Sequence, residues 1–195
     1  MFSGIISAIA KIEKTSTKNG CLFLTIKKPK GWKIKPGDSI ATNGTCLTVK
    51  TVNKNNYTTE LMPETLDKTY FSTIYPTEVN LERSLKLSDF MDGHLVTGHI
   101  DTVGKITEII KKGDSKIYKI NFAKKFTKLL ADKGSVAVDG ISLTVVQTKQ
   151  NWFTISLVDY TLTHTTLGQK KVGDLVHLEF DILAKYINKL FHPTP

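Results

Sequence analysis

Two matching seven-residue segments of the chain differ at one position that could do chemistry, where one has a cysteine and the other a serine. NGTCLTV occupies residues 43–49 and DGISLTV occupies residues 139–145, so Ser142 stands in the second copy where Cys46 stands in the first. A thiol and a hydroxyl both form hydrogen bonds and, when activated, both attack electrophilic carbon. Burial alone would not favour serine, so we interpret Cys46 as a candidate nucleophile, whereas Cys21 in GCLFLTI fits a small core residue.

The histidines show a similar imbalance between the two copies. His99 lies in TGHID, where the first copy has SGIIS with Ile5 at the matching position. The two copies therefore cannot perform the same proton chemistry at this position. His94, in DGHLV, alternates to the opposite side of an extended chain, and we interpret it as structural. The histidines and cysteines show no paired metal-ligand spacing, and GxGxxG, P-loop and GxSxG motifs are absent, so no metal site is predicted.

An internal duplication must position these residues. At an offset of about 96 residues, four pairs of segments, one of which contains the pair above, match in the same order. SGIISAIAKI matches TGHIDTVGKI, DSIATNGTCLTV matches GSVAVDGISLTV, ELMPETLDKT matches SLVDYTLTHT, and VNLE matches VHLE. The sequence therefore predicts two sibling domains, residues 1–90 and residues 91–181, followed by a C-terminal helix and tail over residues 182–195.

Both copies are predicted to be mostly β-structure, since short β-branched runs alternate with turn signals such as Asn43-Gly44 and Asp139-Gly140. Six short strands in each copy favour an all-β fold of two closed or nearly closed barrels. An amphipathic helix is predicted over 123–134, and a second helix begins after Asp181 as N-cap, with a stripe of apolar residues that favours self-association. The predicted strands are 2–12, 20–27, 38–43, 45–53, 56–62 and 78–83, then 96–109, 116–122, 134–139, 141–148, 152–158 and 174–180.

The composition favours a globular protein without nucleic-acid or membrane partners. The chain has 195 residues, 40% of them hydrophobic, and its net charge is +9. Lysine supplies nearly all of the basic residues and Arg83 is the only arginine, although arginine is preferred for reading bases and gripping phosphates. The lysines are scattered, so we interpret them as a solvated surface. Two cysteines are too few for a disulfide framework, which favours a cytoplasmic location.

Eight motifs, in the right order over the whole length, resemble the riboflavin synthase family (α chain). They are MFSGII, GDSIATNGTCLTV, LMPETL, VNLER, GHLVTGHID, KGSVAVDGISLTV, TLTHTTLG and LEFDILAKY. The resemblance implies two tandem six-stranded Greek-key barrels with a C-terminal helix, assembled as a homotrimer. It also implies a transferase, active without cofactor or metal, that catalyses the final step of riboflavin biosynthesis. In that step two molecules of 6,7-dimethyl-8-ribityllumazine dismutate by transfer of a four-carbon unit, giving riboflavin and 5-amino-6-ribitylaminouracil.

The resemblance also carries over four catalytic candidates, Phe2, Ser39, Cys46 and His99. Our hypothesis is that Cys46 or Ser39 adds to, or positions a group that adds to, a ring carbon of the acceptor lumazine. His99 would carry a ring-methyl proton and Phe2 would cover a flat ring face. The first pocket is expected to be lined by Gly4, Ile5, Ile6, Thr45, Cys46, Leu47, Leu61, Met62, Pro63, Glu64 and Thr65. The second is expected to be lined by Thr97, Gly98, His99, Lys133, Ile141, Ser142, Leu143, Thr144, Leu157, Val158, Asp159, Tyr160 and Thr161.

Two alternatives stay open at this point. Each apolar contact in these sets is also compatible with ordinary barrel core. A non-catalytic antenna protein of the same fold would bind lumazine or flavin without converting it, although the retained candidates Phe2, Ser39, Cys46 and His99 favour the enzyme. Val158-Asp159-Tyr160 departs from the proline followed by His or Glu that is usual in the family, and this departure affects the residues expected to contact the ribityl chain in the second pocket.

Overall fold

Twelve strands form two closed antiparallel barrels in a computed structural model that describes residues 1–191. The first barrel contains β1 (Ala8–Lys18), β2 (Cys21–Lys27), β3 (Ser39–Thr42), β4 (Thr45–Val52), β5 (Asn56–Leu61) and β6 (Glu78–Arg83). The second contains β7 (Thr102–Lys112), β8 (Ser115–Asn121), β9 (Ser135–Val138), β10 (Ile141–Thr148), β11 (Trp152–Leu157) and β12 (Leu175–Phe180). The strand order around the first barrel is β1-β2-β5-β4-β3-β6, and the order around the second is the equivalent β7-β8-β11-β10-β9-β12. The fold predicted from the duplication is therefore confirmed.

The duplication extends to irregular features of the sheets. A bulge interrupts β1 between Ile12 and Lys14, and another interrupts β7 between Ile106 and Glu108. Each barrel also has a bulge in its fourth strand, after Val49 and after Val145. Bulges bend a strand and increase its twist, which closing a six-stranded sheet requires. Each barrel therefore surrounds its own apolar core.

Short helices complete the fold. α1 (Pro63–Lys68) and α2 (Asp159–His164) follow the fifth strand of each barrel, and α3 (Ile182–Phe191) follows β12. The backbone N–H of Leu183 donates to the Asp181 side chain at 2.9 Å, as expected for the predicted N-cap. The rest of the predicted C-terminal segment, including His192, lies outside the described residues. Within residues 1–191, no helix is long and apolar enough to span a membrane.

The predicted helix over 123–134 was wrong. The chain forms a 3₁₀-helix over Lys124–Leu129, in which Phe126 N–H donates to the carbonyl of Ala123 three residues earlier. The Thr127 hydroxyl bonds the carbonyls of Lys124 and Gln150 and so ties this segment to a neighbouring loop. A 3₁₀-helix is tighter than an α-helix and suits a short connector. The segment therefore turns into β9 without completing the predicted α-helix.

The predicted starts of β1 and β7 were also wrong. Residues 2–7 and 96–101 alternate like strand residues, but they lie outside the barrel sheets and cross between the lobes. Phe2 and Val96 pair with each other, with N···O distances of 2.8 and 3.0 Å. Their side chains pack with Ala41 and Ala137 in a small apolar cluster between the barrels. The two crossing segments are thus part of the interface between the lobes.

Two tight turns meet at the centre of this interface. Gly44 has φ of +80° and Gly140 has φ of +81°, a conformation that glycine adopts without steric cost. A Cβ on Gly44 would lie 2.7 Å from the Gly140 nitrogen, and a Cβ on Gly140 would lie 2.6 Å from the Gly44 nitrogen. The Asn-Gly and Asp-Gly turns of the two copies therefore face each other across a pseudo-twofold axis.

Matching polar contacts surround these turns. His177 donates from Nδ1 to the Asn43 carbonyl at 2.8 Å and accepts the Tyr70 N–H at Nε2, 3.1 Å away. Asn80 occupies the equivalent position in the first lobe. It donates to the Asp139 carbonyl at 3.0 Å and accepts the Thr166 N–H at 2.8 Å. Asn80 in the first lobe and His177 in the second thus make equivalent pairs of hydrogen bonds.

His177 should make stability sensitive to acid. Burial lowers the pKa of His177 from 6.5 to about 4, so the unfolded chain binds its proton at a higher pH than the folded chain does. We therefore expect the free energy of unfolding to drop by about 3 kcal/mol from this residue as pH falls from about 6.5 to about 4. The check is urea unfolding across this range for the parent and for His177→Asn, which can keep both hydrogen bonds.

The variant controls for other titrating groups. Burial raises the pKa of Glu82 and of Glu179, which acts in the opposite direction, but both carboxyl groups are present in parent and variant. The difference between the two proteins should therefore isolate His177. An equal loss of stability in both proteins would contradict the assignment.

Candidate functional site

A cavity of about 440 Å³ brings together Cys46 of the first lobe and His99 of the segment that begins the second. His99 is exposed and Cys46 is half-buried, so both side chains are accessible from this cavity. Its volume is in the range of small-molecule pockets. We call it the first pocket, and it is lined by Thr45, Cys46, Glu64, Thr65, Lys68, Thr69, Gly98, His99 and Ile100.

The crossing segment of the second lobe touches Cys46 directly. The Cys46 N–H donates to the Gly98 carbonyl at 2.8 Å. A Cβ on Gly98, whose φ is +83°, would lie 2.5 Å from the Cys46 Cβ. This close approach requires glycine, and it places the next residue, His99, at the mouth of the same cavity.

Glu179, at the end of β12, anchors this crossing segment. Its carboxylate accepts the Thr97 N–H at 2.7 Å, the Thr97 hydroxyl at 2.6 Å and the Gly98 N–H at 2.9 Å. Burial raises the pKa of Glu179, and these hydrogen bonds oppose that rise. The position of His99 at the first pocket therefore depends on a carboxylate in the second barrel, the barrel of its own lobe.

The first lobe sends an equivalent segment to the second. The Ser142 N–H donates to the Gly4 carbonyl at 2.8 Å, and Glu82 accepts the N–H groups of Ser3 at 2.6 Å and Gly4 at 2.9 Å. A Cβ on Gly4 would lie 2.6 Å from the Ser142 Cβ. We call the region around Ser142 the second pocket. The two pockets are therefore crossed, because each is built on one barrel and completed by the other lobe's leading segment.

This crossing corrects the expected grouping of site residues. Gly4 was expected in the first pocket, but it contacts Ser142 in the second. Gly98 and His99 were expected in the second pocket, but they line the first. The repeat identifies equivalent positions and gives no information about which barrel a crossing segment contacts.

His94 was interpreted as structural and was expected on the side opposite to His99, and it contacts Ser142 of the second barrel. Its Nδ1 lies 2.7 Å from the Ser142 Oγ, so His94 reaches the second pocket. Each pocket therefore holds one thiol or hydroxyl and one imidazole: Cys46 with His99, and Ser142 with His94. Lys68 and Thr69, which also line the first pocket, were not identified from the sequence.

The short helices α1 and α2 lie at equivalent positions in the two lobes and differ in chemistry. In α1, Glu64 and Lys68 line the first pocket. In α2, the matching residues are Tyr160 and His164, whose rings stack with centroids 4.0 Å apart. The Thr65 carbonyl accepts the Thr69 hydroxyl at 2.8 Å, and the same bond recurs between Thr161 and Thr165 at 2.7 Å, which fixes the equivalence. An acidic and a basic side chain in one lobe thus correspond to an aromatic pair in the other.

Two catalytic candidates, Phe2 and Ser39, do not line the first pocket. Phe2 is fully buried between the lobes, where it packs near Cys46 and exposes no ring face. Ser39 lines a separate cavity of about 390 Å³ together with Arg83. The structure therefore brings together Cys46 and His99, but not Ser39 or the ring of Phe2.

The other expected contact residues divide between core and surface. Leu47 and Leu61 belong to the first core, while Ile141 and Leu157 belong to the second. Lys133 lies at a turn with φ of +67°, where its N–H donates to the Val145 carbonyl at 2.8 Å. The exposed residues among them are Ile5, Met62, Pro63, Lys133, Thr144, Val158 and Asp159, and those of intermediate exposure are Ile6, Leu143 and Thr161.

Glu179→Gln should loosen the first pocket selectively. An amide has one acceptor oxygen, so at least one N–H of Thr97 or Gly98 would lose its acceptor, at a cost of about 1–3 kcal/mol. We expect Cys46 to be alkylated by iodoacetamide about tenfold faster or more, since the covering segment opens more often. Peptide mass spectrometry measures this rate, with the buried Cys21 as internal control. Glu82→Gln, the matched variant, should leave the rate at Cys46 unchanged, and equal acceleration by both would contradict the crossed arrangement.

Comparisons with known proteins found relatives that match both halves of the chain. A family model described as the lumazine binding domain matches residues 3–84 and residues 97–181. The riboflavin synthase of Actinobacillus pleuropneumoniae is 39% identical over 197 residues, covering 100% of this chain and 92% of that protein. The riboflavin synthase of Bacillus subtilis is 38% identical over 194 residues, covering 98% of this chain and 90% of that protein.

Solved structures with the same fold were also found. LumP complexed with riboflavin superimposes with a TM-score of 0.85 at 21% identity, covering 92% of this chain and 99% of that one. LumP complexed with 6,7-dimethyl-8-(1'-D-ribityl) lumazine gives a TM-score of 0.82 at 22% identity, covering 92% of this chain and 98% of that one. At these identities the likeness concerns the fold alone.

Proposed function

This chain belongs to the riboflavin synthase family, a family of enzymes with two lumazine-binding domains, and from that membership we propose that it dismutates 6,7-dimethyl-8-ribityllumazine. One molecule transfers a four-carbon unit to a second, giving riboflavin and 5-amino-6-ribitylaminouracil. A reaction between two identical molecules needs two similar binding sites held in a fixed relation. The observation that carries the proposal is the cavity that holds Cys46 and His99, together with the pseudo-twofold equivalent arrangement around Ser142.

The unequal reactive residues support different roles for the two bound molecules. We propose that Cys46 adds to an electrophilic ring carbon of the lumazine in the first pocket, with His99 carrying protons in the same cavity. Their shared cavity supports this pairing. Phe2 contributes indirectly by supporting Cys46 from the interface, and Ser39 lies too far along β3 to share this role, since Cys46 pairs with Ala41 and Ser39 with Thr48.

The test is incubation of the purified chain with the lumazine as sole substrate. We expect the lumazine absorbance and fluorescence to change with time into those of riboflavin, with two lumazines consumed for each riboflavin formed. No added metal or cofactor should be needed. Lumazine that binds and is recovered unaltered would overturn the proposed reaction and would favour an antenna function.

We further propose that the chain assembles as a homotrimer through α3. Five large apolar side chains of this helix are more than half exposed, and their spacing places them on one face. Such a face is stabilised when copies of the helix cover each other. The residues are Leu183, Tyr186, Ile187, Leu190 and Phe191.

Charges on this face should prevent the assembly. Tyr186→Lys with Leu190→Lys is expected to convert a trimer into a monomer, because burial of an unpaired ammonium group is costly. Sedimentation velocity of parent and variant measures the change. A parent that sediments as a monomer with and without lumazine would contradict the trimer.

A further inference from the structure

Six buried side-chain oxygen atoms within residues 1–191 have no hydrogen-bond partner among the protein atoms. Two of them, in Asp139 and Thr166, lie at the interface between the lobes. The other four are hydroxyl oxygens of the first lobe, in residues that are at most 3% exposed. They belong to Thr42, Thr45, Tyr57 and Thr59. A hydroxyl that is buried without a partner costs free energy, so each of these groups needs one.

All four of these side chains point into the first barrel. Tyr57 belongs to the first core, and Thr59 follows it by two residues on the same face of β5. Thr45 lies two residues before the core residue Leu47 on the inner face of β4. Thr42 is the cross-strand partner of Thr45, which places both side chains on one face. The four residues therefore form a polar group inside the barrel, which we call the hydroxyl cluster.

The hydroxyl cluster reaches across the barrel from β5 to β3. These two strands are not neighbours, because β4 lies between them. Burial raises the pKa of Tyr57, and an interaction with the Thr42 side chain opposes this rise. The two hydroxyls are thus near each other, but they do not reach hydrogen-bond geometry. Two hydroxyls in this relation suit a small molecule that bonds to both.

The second barrel provides an internal control for the hydroxyl cluster. The equivalent positions, at the offset of about 96 residues, are all apolar and all belong to the second core. They are Val138, Ile141, Phe153 and Ile155. Val138 and Ile141 are cross-strand partners, as Thr42 and Thr45 are. The barrel fold therefore does not require hydroxyls at these positions, and their presence in the first barrel indicates a bound hydrogen-bonding molecule.

Water is the molecule whose chemistry fits the hydroxyl cluster. A buried water typically makes about three hydrogen bonds to polar groups that would otherwise be unpaired. Threonine and tyrosine hydroxyls both donate and accept, so they can satisfy the donors and the acceptors of a water molecule. The cluster contains no charged side chain, so an ion would find no opposite charge in it.

We infer that the interior of the first barrel is a binding site for ordered water, held by the hydroxyl cluster. The second barrel has no equivalent site. Thr45 also lines the first pocket, so the water lies behind the wall of the cavity that contains Cys46. Behind Ser142 the equivalent residue is Ile141, a core residue, and the barrel interior there is dry. Hydration of one barrel is thus a further inequality between the lobes, and it does not depend on the proposed reaction.

The sign of a stability change shows whether the hydroxyls are bonded to water. Thr42→Val, Tyr57→Phe and Thr59→Val each remove one hydroxyl with little change in shape. Each variant loses a hydrogen bond to water, so we expect its unfolding equilibrium constant in urea to exceed that of the parent about fivefold or more. A hydroxyl without any partner contributes only a desolvation cost, so its removal would lower this constant. Val138→Thr, the reverse exchange in the second barrel, adds a hydroxyl with no partner and should raise the constant about tenfold or more.

Oxygen-17 magnetic relaxation dispersion detects the water itself, because water that stays buried while the protein tumbles raises the relaxation rate at low field. The triple variant, which combines the three replacements, should lose the contribution of a long-lived water that the parent and Val138→Thr retain. Water elsewhere in the protein contributes equally to all of them. Should the triple variant fail to fold, Thr42→Val alone must lower the dispersion amplitude. A triple variant with the parent's amplitude, or single variants that are each more stable than the parent, would overturn the water site.

Discussion

His99→Asn is expected to lower kcat for riboflavin formation by about 10²- to 10⁴-fold, the range by which a positioned acid or base accelerates a reaction. His99 is exposed at the mouth of the first pocket and shares its cavity with Cys46. Its replacement removes an imidazole without creating a cavity in either core. The measurement is the initial rate of riboflavin formation at saturating lumazine, followed by absorbance.

The variant must be compared with a histidine that has no catalytic assignment. His177→Asn provides this control, because His177 is fully buried at the lobe interface. We expect its kcat at neutral pH to match that of the parent. A His99→Asn protein that binds lumazine and retains kcat within about twofold of the parent would exclude His99 as the proton carrier.

Gly44→Ala and Gly140→Ala are each expected to lower the free energy of unfolding by about 2–5 kcal/mol. Each substitution incurs the cost of an L-residue with positive φ, about 1–2 kcal/mol, and also overpacks the lobe interface, at about 1–3 kcal/mol. The added Cβ would meet backbone atoms of the opposite turn at 2.7 Å or less, and backbone cannot move as a side-chain end can. Urea unfolding at neutral pH measures the loss.

Gly31→Ala is the matched control for these two variants. Gly31 has φ of +81°, nearly the same as Gly44 and Gly140, but a Cβ added there would meet no atom within 4 Å beyond its chain neighbours. It should therefore show only the conformational cost, about 1–2 kcal/mol. Equal losses at Gly31 and Gly44 would mean that the contact between the two turns contributes nothing to stability.

Most of the fold could be predicted from the sequence because the duplication supplied each element twice. Residues 78–83 and 141–148 were predicted with the bounds that the structure has. Strand alternation misled the prediction at residues 2–7 and 96–101, since alternation indicates extended backbone and does not identify its partner. The segment over 123–134 had the spacing of an amphipathic helix, but the bonds of Thr127 to two carbonyls accompany a shorter 3₁₀ turn.

The sequence identified important residues of the candidate site, but it did not show which of them share a pocket. Cys46 and His99 were both identified, yet their common pocket depends on a crossing between lobes that no local pattern encodes. His94 was interpreted as structural, and its contact with Ser142 depends on a close approach at Gly93 that no local pattern encodes. Ser39 precedes Cys46 by only seven residues, but it lies near Arg83 in a different cavity.

The central claim, that two lumazines occupy unequal pockets and become one riboflavin, is tested most directly by mixing isotopes. The purified chain is given equal amounts of unlabelled lumazine and lumazine labelled with carbon-13 throughout its four-carbon unit. Our account predicts riboflavin with none, four or eight labelled carbons, in a ratio of one to two to one by mass spectrometry. Riboflavin without the doubly labelled and mixed species, or lumazine recovered unchanged, would contradict it.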